Sequence, residues 1–468
     1  MINLAFADVC VIAIYFFTVV FIGFRTTRRR ADSSVDYLLA GRSLTLPVFV
    51  MTLVSTWYGG ILGVGEFSYR YGISNWVVQG VPYYVFAALF AFLLAGKVRS
   101  SKLFSIPDKL EAAYDRKTAL LGAWLTFLLM TPAPYILMLG LLLEMLFGWG
   151  LTISIVVIVV VTVSYEYAGG FRSDIQTDVF EFFVMFAGFA VIIPFCIGTY
   201  GGFSFLASHL PSNHLTWHGG NSMQYILVWF FIALWTLVDP AFHQRCYAAR
   251  DESTAKKGIL ISILFWFAFD SMTAIAGLYA RAALPDLGQP VLAFPLLAES
   301  VLPPVAKGLF YAGMLATMMS TLNTLAFVSA QTLGRDVAWR MLKGSGDSLE
   351  GSNSIRLTQI GLPLSFGLAI VIAILVPSVV EMWYLIGTTL VPGLLVPLVA
   401  SYFDRLRIPS RYAFASMLSG WLVSTIWLMA RRFDSPFSSI AAGVEPMYPG
   451  LLASLLFWGI GRIRLRRS

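Results

Sequence analysis

Charged side chains are scarce in this sequence: Asp, Glu, Lys and Arg make up 12% of its 468 residues, about half of the roughly 25% found in soluble domains. A water-soluble globule of this length cannot be dressed with so little charge. Cysteine is scarce too. Cys10, Cys196 and Cys246 lie in or beside apolar runs and have neither metal-site nor disulfide spacing. There are four histidines, and three of them, His209, His214 and His218, share one loop without the spacing of a zinc site. Long polar stretches are also missing. The longest joints between apolar runs, near 98–117, 199–222 and 284–303, are too short to fold alone. With no catalytic mass outside the apolar runs, and no nucleophile–base or metal constellation, the sequence does not read as an enzyme. The net charge of +7 sits in the joints, so it is no footprint for nucleic acid. The N-terminus has no basic region and no small-residue cleavage site, so the first apolar run reads as a retained helix rather than a signal peptide.

What is present is hydrophobic: 58% of the residues, in runs separated by short polar joints. A bilayer core of about 30 Å takes about 20 apolar residues per helix. The runs predict an all-α integral membrane protein with about 13 transmembrane helices. They lie near 5–25, 46–66, 77–97, 118–147, 149–168, 174–198, 223–247, 257–283, 304–336, 355–376, 378–400, 412–431 and 446–462. Basic residues test the alternation, because cytoplasmic joints carry excess Lys and Arg. With the N-terminus outside, only Arg70, Arg281, Lys307, Arg431 and Arg432 fall on outer joints, and the other 27 of 32 fall inside. The C-terminus is then cytoplasmic, and the setting is a cell (plasma or inner) membrane.

Two runs are interrupted. The second contains Ser55-Thr56-Trp57-Tyr58-Gly59-Gly60, with Gly63 and Gly65 beyond; the seventh contains Asp239-Pro240. Transporter sites are often built from broken helices in matching positions of two inverted repeats. The breaks match if the repeats are helices 2–6 and 7–11. The chain then divides into a peripheral helix and loop (1–45), two five-helix repeats (46–200 and 201–400) and two further helices (401–468). A break frees backbone carbonyls that must line a cavity or find partners, and such oxygens suit a hard cation. The ninth run offers Thr317, Ser320, Thr321 and Thr324 at helical spacing, although membrane Ser and Thr often bond back to the preceding turn. Intramembrane acids are costly and are candidates for function. Asp178 and Asp239 are the favoured ones; Asp270 reads equally as a buried hydrogen-bond partner. Glu66, Glu144, Glu166 and Glu381 lie closer to helix ends, where interfacial water can reach them. Trp57, Trp235, Gly59 and Gly60, in or near the breaks, are candidates for contacting or gating a solute.

At these residues the sequence resembles the sodium:solute symporter family. The resemblance spans roughly 30–400 and rests on Tyr37-Leu38-Leu39-Ala40-Gly41-Arg42, Tyr69-Arg70-Tyr71-Gly72, and Gly169-Gly170-Phe171-Arg172 with Thr177-Asp178. It continues in Gln244-Arg245, Ala248-Ala249-Arg250, Lys257-Gly258 and Met319-Ser320-Thr321-Leu322. It implies a LeuT-type 5+5 inverted-repeat core, alternating access, Na+ as coupling ion and a small organic solute as cargo, in a monomer or weak homo-oligomer. It also implies a sodium site made by the Ser320 and Thr321 hydroxyls, the Thr317 carbonyl and two carbonyls of the second helix, with Asp178 as the accompanying acid. Two registers stand for those carbonyls, Ser55 with Tyr58 or Leu53 with Thr56. Asn323 stands where many relatives have Asp, and Gly60, Ile232 and Trp266 stand where sugar carriers have polar contacts, which argues against a sugar. Proton coupling through Asp178 or Asp239, and a non-transporting solute sensor, are the alternatives.

Overall fold

The structure is a computed structural model, and it describes residues 2–27, 33–342, 352–376, 378–431 and 443–467. Arg28, Arg29, Arg30, Lys343 and Arg432, used in the charge count, lie outside the described residues. Among these residues the chain is helical throughout, and its one β contact is an isolated bridge between Leu44 and Ala249.

Among the described residues, eleven helical elements are long and apolar enough to cross a membrane. The fifth and sixth expected spans are two helices within Leu151–Tyr200 that meet at a non-helical kink at Gly170 (φ 57°, ψ −155°). At 1.5 Å per residue its 50 residues hold about 75 Å of helix, enough for two crossings of a bilayer core of about 30 Å. Glycine takes this left-handed backbone without penalty, and a Cβ there would lie 2.7 Å from Tyr37. The last expected span, Met447–Arg467, is helical but is not among the eleven. The fourth run is itself divided, into Arg116–Leu129 and Ala133–Phe147, at Pro132 and its neighbours, where proline removes a donor.

We label the elements that frame the centre α1 (Phe6–Thr27), α2 (Leu46–Trp57), α3 (Ile61–Tyr71), α4 (Ile106–Ala113), α5 (Leu151–Tyr200), α6 (Met223–Ile232), α7 (Pro240–Ala248), α8 (Glu252–Ala283), α9 (Ala306–Gln331) and α10 (Val379–Ser401). α9 is fully enclosed although it carries several Ser and Thr residues: every residue from Phe310 to Gln331 is buried. Its most extensive neighbour is α5. Gly188 and Gly313 allow this: a Cβ on either would sit 2.8–2.9 Å from the other's Cα. Small residues at such crossings let membrane helices approach closely. α1 packs on the same pair, and its Tyr15 hydroxyl donates to Glu181 at 2.9 Å.

One end of this core is tied by ion pairs. α4 lies between two spans and turns Asp108 toward the end of the ninth span. The carboxylate pairs with Arg335 at 3.0 Å and with Arg340, while Asp336 accepts from both arginines at 2.7 and 2.8 Å. Burial raises the Asp108 carboxyl, but Arg335 and Arg340 outweigh it and hold it down at about 2. A depressed carboxylate stabilises fully above its unfolded value of about 3.9 and loses that stabilisation as pH falls through its folded value. Asp108→Asn is therefore expected to cost about 3–5 kcal/mol, as for other broken buried pairs. Thermal unfolding in detergent should give a constant deficit between about pH 5 and 8, shrinking below about pH 4 as the wild-type carboxylate protonates.

Candidate ion and solute site

The second helix is interrupted at one turn. α2 ends at Trp57, Tyr58–Gly60 form a 3-10 turn with ψ near 13° and 22° at its ends, and α3 resumes at Ile61. Ser55, Thr56 and Trp57 are still helical, so the break is shorter than the polar string suggests. Gly59 makes the close approach possible: a Cβ there would lie 2.3 Å from Thr321 Oγ1 and 2.5 Å from Tyr135. In that space the Thr321 hydroxyl of α9 donates to the Thr56 carbonyl at 2.6 Å, with the Thr317 carbonyl of its own helix at 3.2 Å. The carbonyl that α9 reaches is thus Thr56's, which belongs to the Leu53/Thr56 register. The Ser55 hydroxyl bonds back to Met51 and Thr52 carbonyls at 3.0 and 3.3 Å, and Tyr58 sends its hydroxyl away to the Trp266 carbonyl at 2.8 Å.

Behind Thr56 lies a fully buried polar cluster. Ser320 Oγ donates to Asp178 Oδ1 at 2.5 Å. Arg245 Nη2 donates to Asp178 Oδ2 at 2.9 Å, to Thr324 Oγ1 at 2.9 Å and to Thr56 Oγ1 at 2.5 Å. Thr324 donates to Asp174 at 2.9–3.0 Å, and Asp174 lies 4.0 Å from the guanidinium. Both acids and the arginine side chain have no solvent exposure. With both acids ionised the cluster holds two negative charges against one positive. Further along α5, Glu166 is 1% exposed, and neither of its oxygens has a hydrogen-bond partner among the described residues. That corrects the expectation that interfacial water reaches it. Glu66, by contrast, pairs with Arg70 at 3.0 Å, and Glu381 stands at the start of α10.

The seventh helix breaks where expected. Trp235–Val238 is one turn, Asp239 is extended (φ −66°, ψ 116°), and α7 starts at Pro240. Proline suits a first helical position. Asp239 Oδ1 caps α7 by accepting from the Ala241 and Phe242 N–H groups at 2.8 and 3.1 Å. The two breaks open onto one cavity of about 160 Å³. Trp57, Gly60, Trp235 and Asp239 line it, as do Thr56, Tyr58 and Thr321; Gly59 lies beneath its wall. Gly60 and Gly63 leave room for the Trp383 indole of α10, which a Cβ would meet at 2.3 and 2.8 Å. Ser55, Thr317, Ser320 and Asp178 lie outside the cavity wall, Ser320 and Asp178 in the polar cluster. Asp270 of α8 also lines the cavity and accepts from the Tyr84 hydroxyl.

Known proteins of this build can now be compared. A family model described as the sodium:solute symporter family matches residues 37–420. The chain belongs to that family. Its members are transporters, not enzymes. The chain is 25% identical over 447 residues to a sodium/pantothenate symporter of Escherichia coli (strain K12), covering 91% of this chain and 89% of that one. It is 23% identical to a sodium/proline symporter of Staphylococcus aureus (strain JH9), covering 95% and 90%. In fold it is similar to a substrate-bound, outward-open Na+-coupled sialic acid symporter, with a TM-score of 0.77 at 16% identity over 100% of this chain and 98% of that one. It is also similar to Mhp1, a nucleobase-cation-symport-1 family transporter, with a TM-score of 0.59 at 13% identity over 92% and 94%. The fold of this family member is the LeuT type, in a multi-pass membrane protein.

Sequence reasoning missed Arg245, Asp174, Tyr135 and Trp383. The charge alternation places Arg245 on a cytoplasmic joint, whereas α7 carries it inside. The signal available was its place in the Gln244-Arg245 motif, six residues after a helix break. Gly59→Ala is expected to destabilise the protein by about 1–3 kcal/mol, the usual penalty for overpacking. Gly198→Ala, whose Cβ meets open space, is the control. Thermal unfolding of both variants in detergent checks this.

Proposed function

We propose that this family member imports a small organic solute into the cell by coupling it to inward movement of Na+. The observation that carries the reading is the contact of the Thr321 hydroxyl with the Thr56 carbonyl, beside a buried cluster of two carboxyl groups and one guanidinium. Carbonyl and hydroxyl oxygens are the donors hard cations take, and broken transporter helices present them. Thr56, Thr321, the Thr317 carbonyl, Ser320 and Asp178 would hold the ion. Ser55 and Tyr58 are the weaker register, because the Ser55 carbonyl accepts from the Tyr58 N–H while the carbonyl that the Thr321 hydroxyl reaches is that of Thr56.

Thr56 and Thr321 also line the solute cavity. An ion drawn to these oxygens would order the wall against which solute packs, so each ligand would favour the other's binding. Mutual tightening of this kind is one coupling free energy, and it acts only through differential affinity for the two states. Rocking of the two repeats, 46–200 against 201–400, would then carry both ligands to the cytoplasm. The charge asymmetry of the joints supports an outer N-terminus and a cytoplasmic C-terminus.

Proton coupling is the second reading, favoured by the unpartnered Glu166 carboxyl. Proteoliposomes separate the two. Solute accumulation driven by a sodium gradient at fixed pH is expected; accumulation driven only by a pH gradient would replace sodium with the proton. Ser320→Ala with Thr321→Ala is expected to raise the sodium concentration for half-maximal transport by about tenfold or more, as loss of two ion-facing oxygens at about 1 kcal/mol each implies. Unchanged sodium dependence in that double variant would remove the ion site. A solute that binds tightly but never accumulates would favour a sensor.

A further inference from the structure

The cavity between the breaks is small. Its volume of about 160 Å³ is close to the roughly 150 Å³ of a protein cavity that holds benzene, so the solute body it encloses here is of that order. Its walls are aromatic: Trp57, Tyr83, Tyr135, Trp235, Phe242 and Trp383 all face it. Trp57 meets Tyr83 at 4.9 Å between ring centroids and 71°, and Phe242 at 5.6 Å and 78°. Rings set at such angles form the corner of a box rather than a flat stack.

The charges are one-sided. No Lys, Arg or His lines the cavity, but two carboxylates do, Asp239 and Asp270. Asp239 Oδ1 is committed to two backbone N–H groups, Asp270 to the Tyr84 hydroxyl, and neither acid forms a salt bridge among the described residues. An anionic solute here would lose its water and face two carboxylates with no counter-charge, the costly case for buried charge. A polyol would leave most of its hydroxyls against carbon. An organic ammonium would meet both needs: its charge faces carboxylates and the π-faces of Trp and Tyr attract cations, while its methyl groups fill apolar space.

We propose that the solute is a compact organic cation, a methylated ammonium on a small body. This rests on the symporter reading for its transport but not for its binding. The probes are 2-hydroxyethyl-trimethylammonium, its neutral isostere 3,3-dimethylbutan-1-ol and the carboxylate 3,3-dimethylbutanoate, offered to the full chain in detergent with sodium. The ammonium alone is expected to raise the unfolding temperature. Trp235→Leu is expected to weaken it by about threefold to thirtyfold, the range of one cation–π contact. Asp239→Asn keeps a helix-capping side chain and is expected to weaken it by about thirtyfold or more, with the unliganded unfolding temperature little changed. Equal binding of ammonium and isostere, binding of the carboxylate alone, or no binding by any of the three would overturn the assignment. In proteoliposomes, sodium-driven uptake of a neutral or anionic solute with the ammonium inert would overturn it while leaving symport intact. Ammonium binding without sodium-driven uptake would support the solute class and count against symport.

Discussion

A guanidinium sealed inside the protein holds its moving parts in register. Arg245 sits on the half-helix after the second break, yet it donates to Asp178 on α5, Thr56 at the first break and Thr324 on α9. Four chain segments, distant in sequence, therefore converge on one charge. In a low-dielectric interior an unpaired charge is expensive, so none of these groups can move alone. What frees or rearranges one must satisfy the rest, and this ties the geometry of both breaks to the occupancy of the polar cluster.

The same contacts explain why so much of the architecture was readable beforehand and so little of the site. Hydropathy marks each span because the bilayer demands length and apolarity residue by residue. The glycine string and Asp239-Pro240 mark the breaks because backbone chemistry is local. One boundary failed for a local reason as well: the fourth run is divided near Pro132 into Arg116–Leu129 and Ala133–Phe147, and hydropathy has no term for that. Arg245 failed for a different reason. A basic residue beyond an apolar run looks like a joint residue, and only the half-helix that Asp239 starts carries it inward. Glu166 failed likewise: distance from a helix end along the chain says nothing of what covers it in space.

Between the cavity and the polar cluster stands a thin partition. Thr56 and Thr321 belong to the cavity wall on one side and to the oxygen set on the other. Gly59 keeps it thin, because a Cβ there would collide with Thr321 and Tyr135. A bulkier partition would insulate ion from solute. A glycine-built one transmits small displacements because there is no side chain to absorb them, and packed interiors yield by switching arrangement rather than by stretching.

The bridge between Leu44 and Ala249 is a weaker tie between the two broken helices. It consists of two backbone hydrogen bonds, Leu44 N–H to the Ala248 carbonyl at 3.2 Å and Arg250 N–H to the Leu44 carbonyl at 3.0 Å, beside a third from the Arg99 side chain to the Ala249 carbonyl at 2.5 Å. It joins the lead-in to the first broken helix to the exit of the second, where the joints are basic. Each such bond exchanged for water is worth only about 0.5–1.5 kcal/mol net. Breaking such a tie would cost a few kilocalories at most, about what a bound ligand's preference for one state over another can deliver.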